Sequence, residues 1–214
     1  MKKILLIGGG GHCKSVLDTL LELDEYHEIG IIDHKSKMGH NILNVKYLGD
    51  DDDLLNYYNG GYEYAFVTIG SIGNPEVRIK IFEKIKKIGF KVPNIIDKSA
   101  ITSRFMVLGQ GNYIGKKVVV NADTKIGNCC IINTASVIEH DCDIGDFVHL
   151  APGSIVCGGV KIGNNTHIGA NSTIIQYKTI GENVLIGAGS VIVKDITSEI
   201  KIFGNPARER NSNE

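Results

Sequence analysis

The sequence predicts two joined parts: an α/β N-terminal domain over residues 1–95, then a parallel β-helix of hexapeptide repeats over residues 96–214, ending in a short C-terminal tail. Three features predict this. An aliphatic residue recurs every six positions through the second half, and glycine and small residues keep fixed offsets from it. The first half instead alternates short apolar runs with amphipathic stretches, the pattern of βαβ units.

From the N-terminus, residues 2–7 (Lys-Lys-Ile-Leu-Leu-Ile) read as a buried parallel strand. Gly8 to Gly11 make a turn, and a helix follows from about His12 to Leu23 with Val16, Leu17, Leu20 and Leu21 facing inward. A second strand, Ile29 to Ile32, ends at Asp33, which completes a βαβ unit and a small Rossmann-like parallel sheet. Residues 50–58 read as a short helix, with the acidic run Asp50 to Asp53 as first-turn charge or a solvated cap. A strand from Tyr64 to Ile69 meets Gly70, and Asn74-Pro75-Glu76 opens an amphipathic helix ending near Gly89. The boundary between the two parts falls near residues 93–100.

In the second half, steps of six from Leu108 reach Ile114, Val120, Ile126 and so on to Ile192, all branched aliphatics in unbroken register. Neither helical spacing nor strict alternation gives one deep aliphatic every six residues. A hexapeptide β-helix does, because three six-residue edges make one triangular coil with the aliphatics inward. Five such coils make a prism roughly 24 Å long at about 4.8 Å per coil. Glycine often follows the aliphatic, as at Gly127 and Gly163, and small residues such as Thr124, Ser136 and Cys142 sit four positions after it, relieving the turns and corners.

Composition narrows the function. A net charge of −1 with 22% charged residues leaves no electrostatic footprint for nucleic acid or an anionic membrane, so the expected partner is a small molecule. Lys2 and Lys3 precede only Ile4 to Ile7 before the glycines, too short for a signal-peptide core or a membrane span, and a cytoplasmic protein is expected. The five cysteines form no C-x-x-C pair and read as reduced, small apolar fillers.

The glycine turn lies at a helix N-terminus, where free N–H groups favour a phosphate. Gly8 to Ser15 nearly fits a P-loop, but Cys13 stands where the last glycine belongs. The dinucleotide fingerprint fails as well, since its third glycine falls on Lys14 or Cys13 depending on the frame. A nucleotide diphosphate sugar remains, with Asp33 placed for a ribose or base edge. The alternative is a tight strand-to-helix connection with no ligand.

His140, His149 and His167 lie within the repeat. His149 and His167 are one coil apart and stack at about 4.8 Å, which invites a zinc reading, but His140 falls on a different edge and no metal is expected. Glu139-His140-Asp141 is the stronger candidate, because a base working near neutral pH needs its imidazole oriented by a carboxylate. In a flat strand both acids would point away from His140, yet a hexapeptide corner can bend one back. Cys142 could be a nucleophile two residues from His140, but its small-residue position turns it toward the core.

Gly-Gly-Gly-Gly-His at residues 8–12, Asp33, Thr68-Ile69-Gly70, the run Asn133 to Cys142, His149 to Gly153 and Gly204-Asn205-Pro206-Ala207 carry a resemblance. Over essentially its whole length the chain resembles the bacterial sugar acyltransferases of the sialic acid O-acetyltransferase and bacillosamine or perosamine N-acetyltransferase family. The resemblance implies left-handed coils, a homotrimer and acetyl-CoA held between neighbouring prisms, without metal. It implies His140 as general base, Asp141 as its acidic partner, and Glu139 and Asn133 in support. His149 would contact acetyl-CoA, Ala170 and Ala188 would line the pantetheine channel, and the Gly158 N–H would serve the oxyanion. Gly10, Gly11, His12, Asp33, His34 and Gly70 would line the nucleotide-sugar pocket. His34 departs from the family pattern, where a second carboxylate often contacts the acceptor amine. The implied reaction is direct acetyl transfer to a sugar amine or hydroxyl in surface-glycan biosynthesis, with no acyl-enzyme. O-acetylation of sialic acid and a non-catalytic nucleotide-sugar-binding trimer are the alternatives.

Overall fold

The computed structural model describes residues 2–209. The described residues form two compact units, residues 2–70 with 76–98, and residues 71–75 with 99–209. The end of the expected short C-terminal tail, residues 210–214, lies outside the described residues.

The first unit runs β1 (Lys3–Ile7), α1 (Gly11–Leu23), β2 (Glu28–Ile32), β3 (Asn41–Ile42), β4 (Val45–Gly49), α2 (Leu54–Asn59), β5 (Tyr64–Val67) and α3 (Glu76–Ile88). Its sheet has the order β3-β4-β2-β1-β5, parallel throughout except for the β3–β4 hairpin. Alternation along the strands sends Leu5, Ile7 and Ile32 to the face that packs on Leu54, Ile81 and Ile85. On α1 the buried stripe is Cys13, Val16, Leu17 and Leu20. Leu21, expected inward, is 47% exposed, because the positions i, i+3, i+4 and i+7 are complete without it.

The β3–β4 hairpin was not legible in the sequence. Its two turn residues, Leu43 and Asn44, both have positive φ, 44° and 68°, as a two-residue hairpin turn requires. The acidic run also differs from expectation. Helix α2 begins only at Leu54, so Asp50 to Asp52 lie in the turn that follows β4 and supply no first-turn charge.

The second unit is a left-handed parallel β-helix with three sheets, in which each two-residue strand pairs with the strand eighteen residues on, as in Ile131↔His149 and Val137↔Ile155. One face contains Val137–Ile138, the next Asp143–Ile144, and the third His149–Leu150. The six-step aliphatics from Ile114 to Ile192 are at most 3% exposed, and Leu108 in the first coil is half-buried. The small residues do more than relieve corners, since their hydroxyls bond carbonyls fifteen residues on. Thr124 Oγ1 donates to Glu139 O at 2.9 Å, and Ser172 Oγ to Gly187 O at 2.8 Å. The glycines after the aliphatics are needed for close approach between coils, not for their φ. A Cβ on Gly163 would lie 2.7 Å from the Glu182 nitrogen. The left-handed residues are the second ones at the corners, including Asp141 at φ 59°.

Candidate active site

His140 and Asp141 form the corner between the first and second faces. The left-handed backbone at Asp141 folds its side chain back, and His140 Nδ1 lies 2.8 Å from Asp141 Oδ2. An ionised carboxylate only accepts, so in the neutral ring Nδ1 carries the hydrogen and Nε2 offers its lone pair. Glu139 is engaged elsewhere, receiving Asn121 Nδ2 at Oε2, 2.9 Å away. The imidazole rests on Gly158, one coil on, where a Cβ would stand 2.7 Å from both Cε1 and Nε2 of His140. The Gly158 N–H makes no hydrogen bond among the described residues. Asp141 also borders a groove of about 500 Å³ on the second face, shared with Phe105, Val107, Asp123, Asp143 and Lys161.

Cys142 is buried and its thiol leans on Cys157 O at 3.3 Å, the same fifteen-residue link that the hydroxyls make. Burial pushes that thiol up to about 11, so little thiolate exists near neutral pH. The position fits a core filler and not a nucleophile.

The remaining prism residues lie on another edge of the same chain. On the third face His149 Nδ1–H donates to Ser71 O at 2.8 Å, and its ring meets His167 edge to face with centroids 4.7 Å apart. Asn133 Oδ1 accepts the Thr134 N–H at 2.8 Å. Ala170 and Ala188 follow that face at successive coils, where the Ala170 carbonyl receives the Gly189 N–H. Among the described residues, no three His, Cys, Asp or Glu side chains group as metal ligands would.

In the first unit the glycine turn and Asp33 come together. Asp33 Oδ2 accepts the Gly9 N–H at 2.6 Å and Lys37 Nζ at 2.8 Å, while Oδ1 accepts the His34 N–H at 2.7 Å. Burial pushes the Asp33 carboxyl up, but Lys37 and the two N–H groups outweigh burial and hold it below the usual carboxylate range. Tyr47 OH donates to Gly9 O at 2.9 Å, and Thr68 Oγ1 to Gly8 O at 2.6 Å. Gly8 has φ +105°, and a Cβ on Gly9 would collide with the Tyr47 ring at 2.4 Å. Gly10 and Gly11, in contrast, have open space where a Cβ would be, and Gly70 lies beside His12. Around this turn runs a cleft of about 260 Å³ lined by Gly8, Asp33, His34, Ile69 and Asp50 to Asp52. Sequence reading missed Lys37, Tyr47 and the three aspartates; the i,i+4 spacing of Asp33 and Lys37 was the one visible signal.

Residues 3–85 match the PglD N-terminal domain, and residues 141–176 match the bacterial transferase hexapeptide of six repeats. A solved structure of perosamine N-acetyltransferase from Caulobacter crescentus, a histidine-to-asparagine variant in complex with CoA and GDP-perosamine, is 34% identical. It superposes with a TM-score of 0.93 over 99% of this chain and 98% of that one. The acetyltransferase domain of PglB from Neisseria gonorrhoeae, in complex with acetyl coenzyme A, is 34% identical over 98% of this chain and 99% of that one, with a TM-score of 0.90. An uncharacterized protein of Acanthamoeba polyphaga mimivirus is 34% identical over 125 residues, 58% of this chain. The chain spans about a quarter of that protein, 24% of its length. An α/β unit joined to a hexapeptide prism defines the class, a two-part acyltransferase. Within that class the chain belongs to the family of bacterial sugar acyltransferases with hexapeptide repeats.

Proposed function

We propose that the protein transfers the acetyl group of acetyl-CoA to the amine of a nucleotide-linked amino sugar, in the cytoplasm, for surface-glycan assembly. The observation that carries this reading is the Asp141-oriented His140 resting on Gly158. His140 Nε2 takes the proton as the amine attacks the thioester carbonyl, and the Gly158 N–H donates to the oxyanion. The tetrahedral intermediate collapses with departure of the CoA thiolate, leaving the amide. Cys142 takes no part.

Two further supports bear on the acceptor. Gly10 and Gly11 leave open space at the start of α1, where backbone N–H groups suit a diphosphate, and Asp33 lies beside them for a ribose. The relatives crystallised with CoA and GDP-perosamine or with acetyl coenzyme A are N-acetyltransferase and acetyltransferase structures. In this reading His12, His34 and Gly70 belong to the acceptor pocket of the first unit, and Asn133 and Glu139 support the base within the prism. His149, Ala170 and Ala188 lie on a different edge from His140, so a donor touching all of them lies between two prisms. The family resemblance supplies the assembly in this reading, a homotrimer with each site shared by two subunits. No helix of the described residues is long and apolar enough to cross a membrane.

The test is release of CoA thiol from acetyl-CoA with GDP- and UDP-linked amino sugars, CMP-sialic acid and free sialic acid, using wild type and His140→Ala. Turnover with a nucleotide-linked amine, reduced roughly a hundredfold or more in the variant, is expected. Undiminished turnover in His140→Ala would overturn the assignment of the base. Turnover with free sialic acid alone would move the reaction to O-acetylation.

A further inference from the structure

The second residue of each prism corner takes a left-handed backbone, and aspartate, asparagine and glycine fill most of these positions, as at Asp123, Asp141, Gly153, Gly159, Asn165, Asn171, Asn183 and Gly189. Those types tolerate that region best. Lys117, Cys129, Ala135, Phe147 and Tyr177 depart from the pattern, and Tyr177, at φ 57° and 72% exposed, is the exposed aromatic among them. Phe147 has the same φ but is half-buried.

The Tyr177 ring folds across Gly159, where a Cβ would stand 2.5 Å from its Cδ1 and 2.7 Å from its Cε1. One residue earlier, Gly158 lies under the His140 imidazole. The glycine pair thus floors a notch in the prism corner, with His140 and Asp141 one coil to one side and Gln176 and Tyr177 one coil to the other. Backbone bonds hold the three levels in line, from Gly159 N to His140 O and from Tyr177 N to Gly158 O, both 2.9 Å. At about 4.8 Å per coil the notch spans roughly 10 Å.

We propose that Tyr177 is a donor-positioning residue whose ring flanks the pantetheine arm of the bound acyl-CoA. This rests on the reading in which His140 is the base and Gly158 meets the thioester oxygen. The amine adds to one face of the planar thioester from the side of the base, and the sulfur leaves as the CoA thiolate when the tetrahedral adduct collapses. With the carbonyl at Gly158 and the base one coil to one side, an arm led away from the base passes the coil that carries Tyr177. An aromatic face there covers the methylene and amide groups of the arm and keeps water from the thioester. The chain keeps a bulky aromatic in a backbone region that favours glycine, exposed, at the level where the donor leaves the reaction centre.

The measurement is calorimetric titration of CoA together with separate KM values for acetyl-CoA and acceptor. Glycine suits the corner, so Tyr177→Gly keeps the fold; Tyr177→Phe keeps the ring. Tyr177→Gly is expected to weaken CoA binding and raise the acetyl-CoA KM about tenfold, ~1.4 kcal/mol, with the acceptor KM unchanged. Tyr177→Phe should restore most of that loss. Equal CoA affinity in Tyr177→Gly and wild type would overturn the assignment of Tyr177 alone, as would a rise confined to the acceptor KM. Absence of CoA binding by the wild type would overturn the transferase reading beneath it.

Discussion

In the prism, the groups assigned to chemistry are neighbours in sequence or one coil apart: His140 bonds Asp141 and lies on Gly158, eighteen residues on. In the α/β unit the cleft gathers Gly8, Asp33, Asp51 and Ile69 from four separate connections at the C-terminal ends of β1, β2, β4 and β5. The two regions show two ways of holding a site. A repeat repeats its environments, so the neighbour of any side chain is known from a count of six or eighteen. An open parallel sheet puts its ligand site where the strand ends converge, and which loops converge depends on strand order. The polar side chains of the prism corner are correspondingly simple to pair, while those of the cleft form a net, with Asp33 alone taking three donors.

Three changes sharpen this contrast. Leu150 is fully buried, and Leu150→Ala is expected to cost about 2–5 kcal/mol in denaturant unfolding, because stacked coils cannot close around the void. A loss under about 1 kcal/mol would mean that the prism relaxes as readily as a loop. Gly158→Ala comes next. It leaves the stability nearly unchanged but pushes the imidazole off its seat, and kcat/KM should fall at least about tenfold, ~1.4 kcal/mol. If catalysis survived, the glycine would be needed for coil spacing alone.

The smallest expected effect is in the cleft. The folded Asp33 carboxyl lies below its ordinary range, so its contribution to stability is present above that range and lost as pH falls through the depressed value. Asp33→Asn should therefore lower thermal stability by about 1 kcal/mol at neutral pH and flatten the decline in acid. Melting curves at pH 7 and pH 4 that run parallel in the two proteins would show that the Gly9 and Lys37 bonds carry no such linkage.

Legibility followed the same division. The six-residue period marked the core of the prism, apart from Leu108 at its open end, because each aliphatic faces the same axis. In the α/β unit the strands and long helices were readable from their apolar runs, but the β3–β4 hairpin was not, since its turn residues, Leu43 and Asn44, lack a glycine. Leu21 was misplaced because an apolar residue at the edge of a helical stripe looks like a member of it. The aspartates before α2 read as helix charge or a solvated cap, whereas they line a cleft that exists only once β4 pairs beside β2.

The sequence alone was enough to specify a prism of stacked coils and a histidine flanked by two acids, because both are written in local spacing. It could not decide between those acids. Alternation treats Glu139 and Asp141 alike, and only the folded corner separates them. A left-handed turn at Asp141 brings its carboxylate to Nδ1, while Glu139 follows the strand toward Asn121 in the preceding coil. The tertiary structure likewise decided that Ser71 to Pro75 join the second unit, where the Ser71 carbonyl accepts the His149 ring N–H from 78 residues away. A contact between residues so far apart in the chain has no local periodicity to announce it.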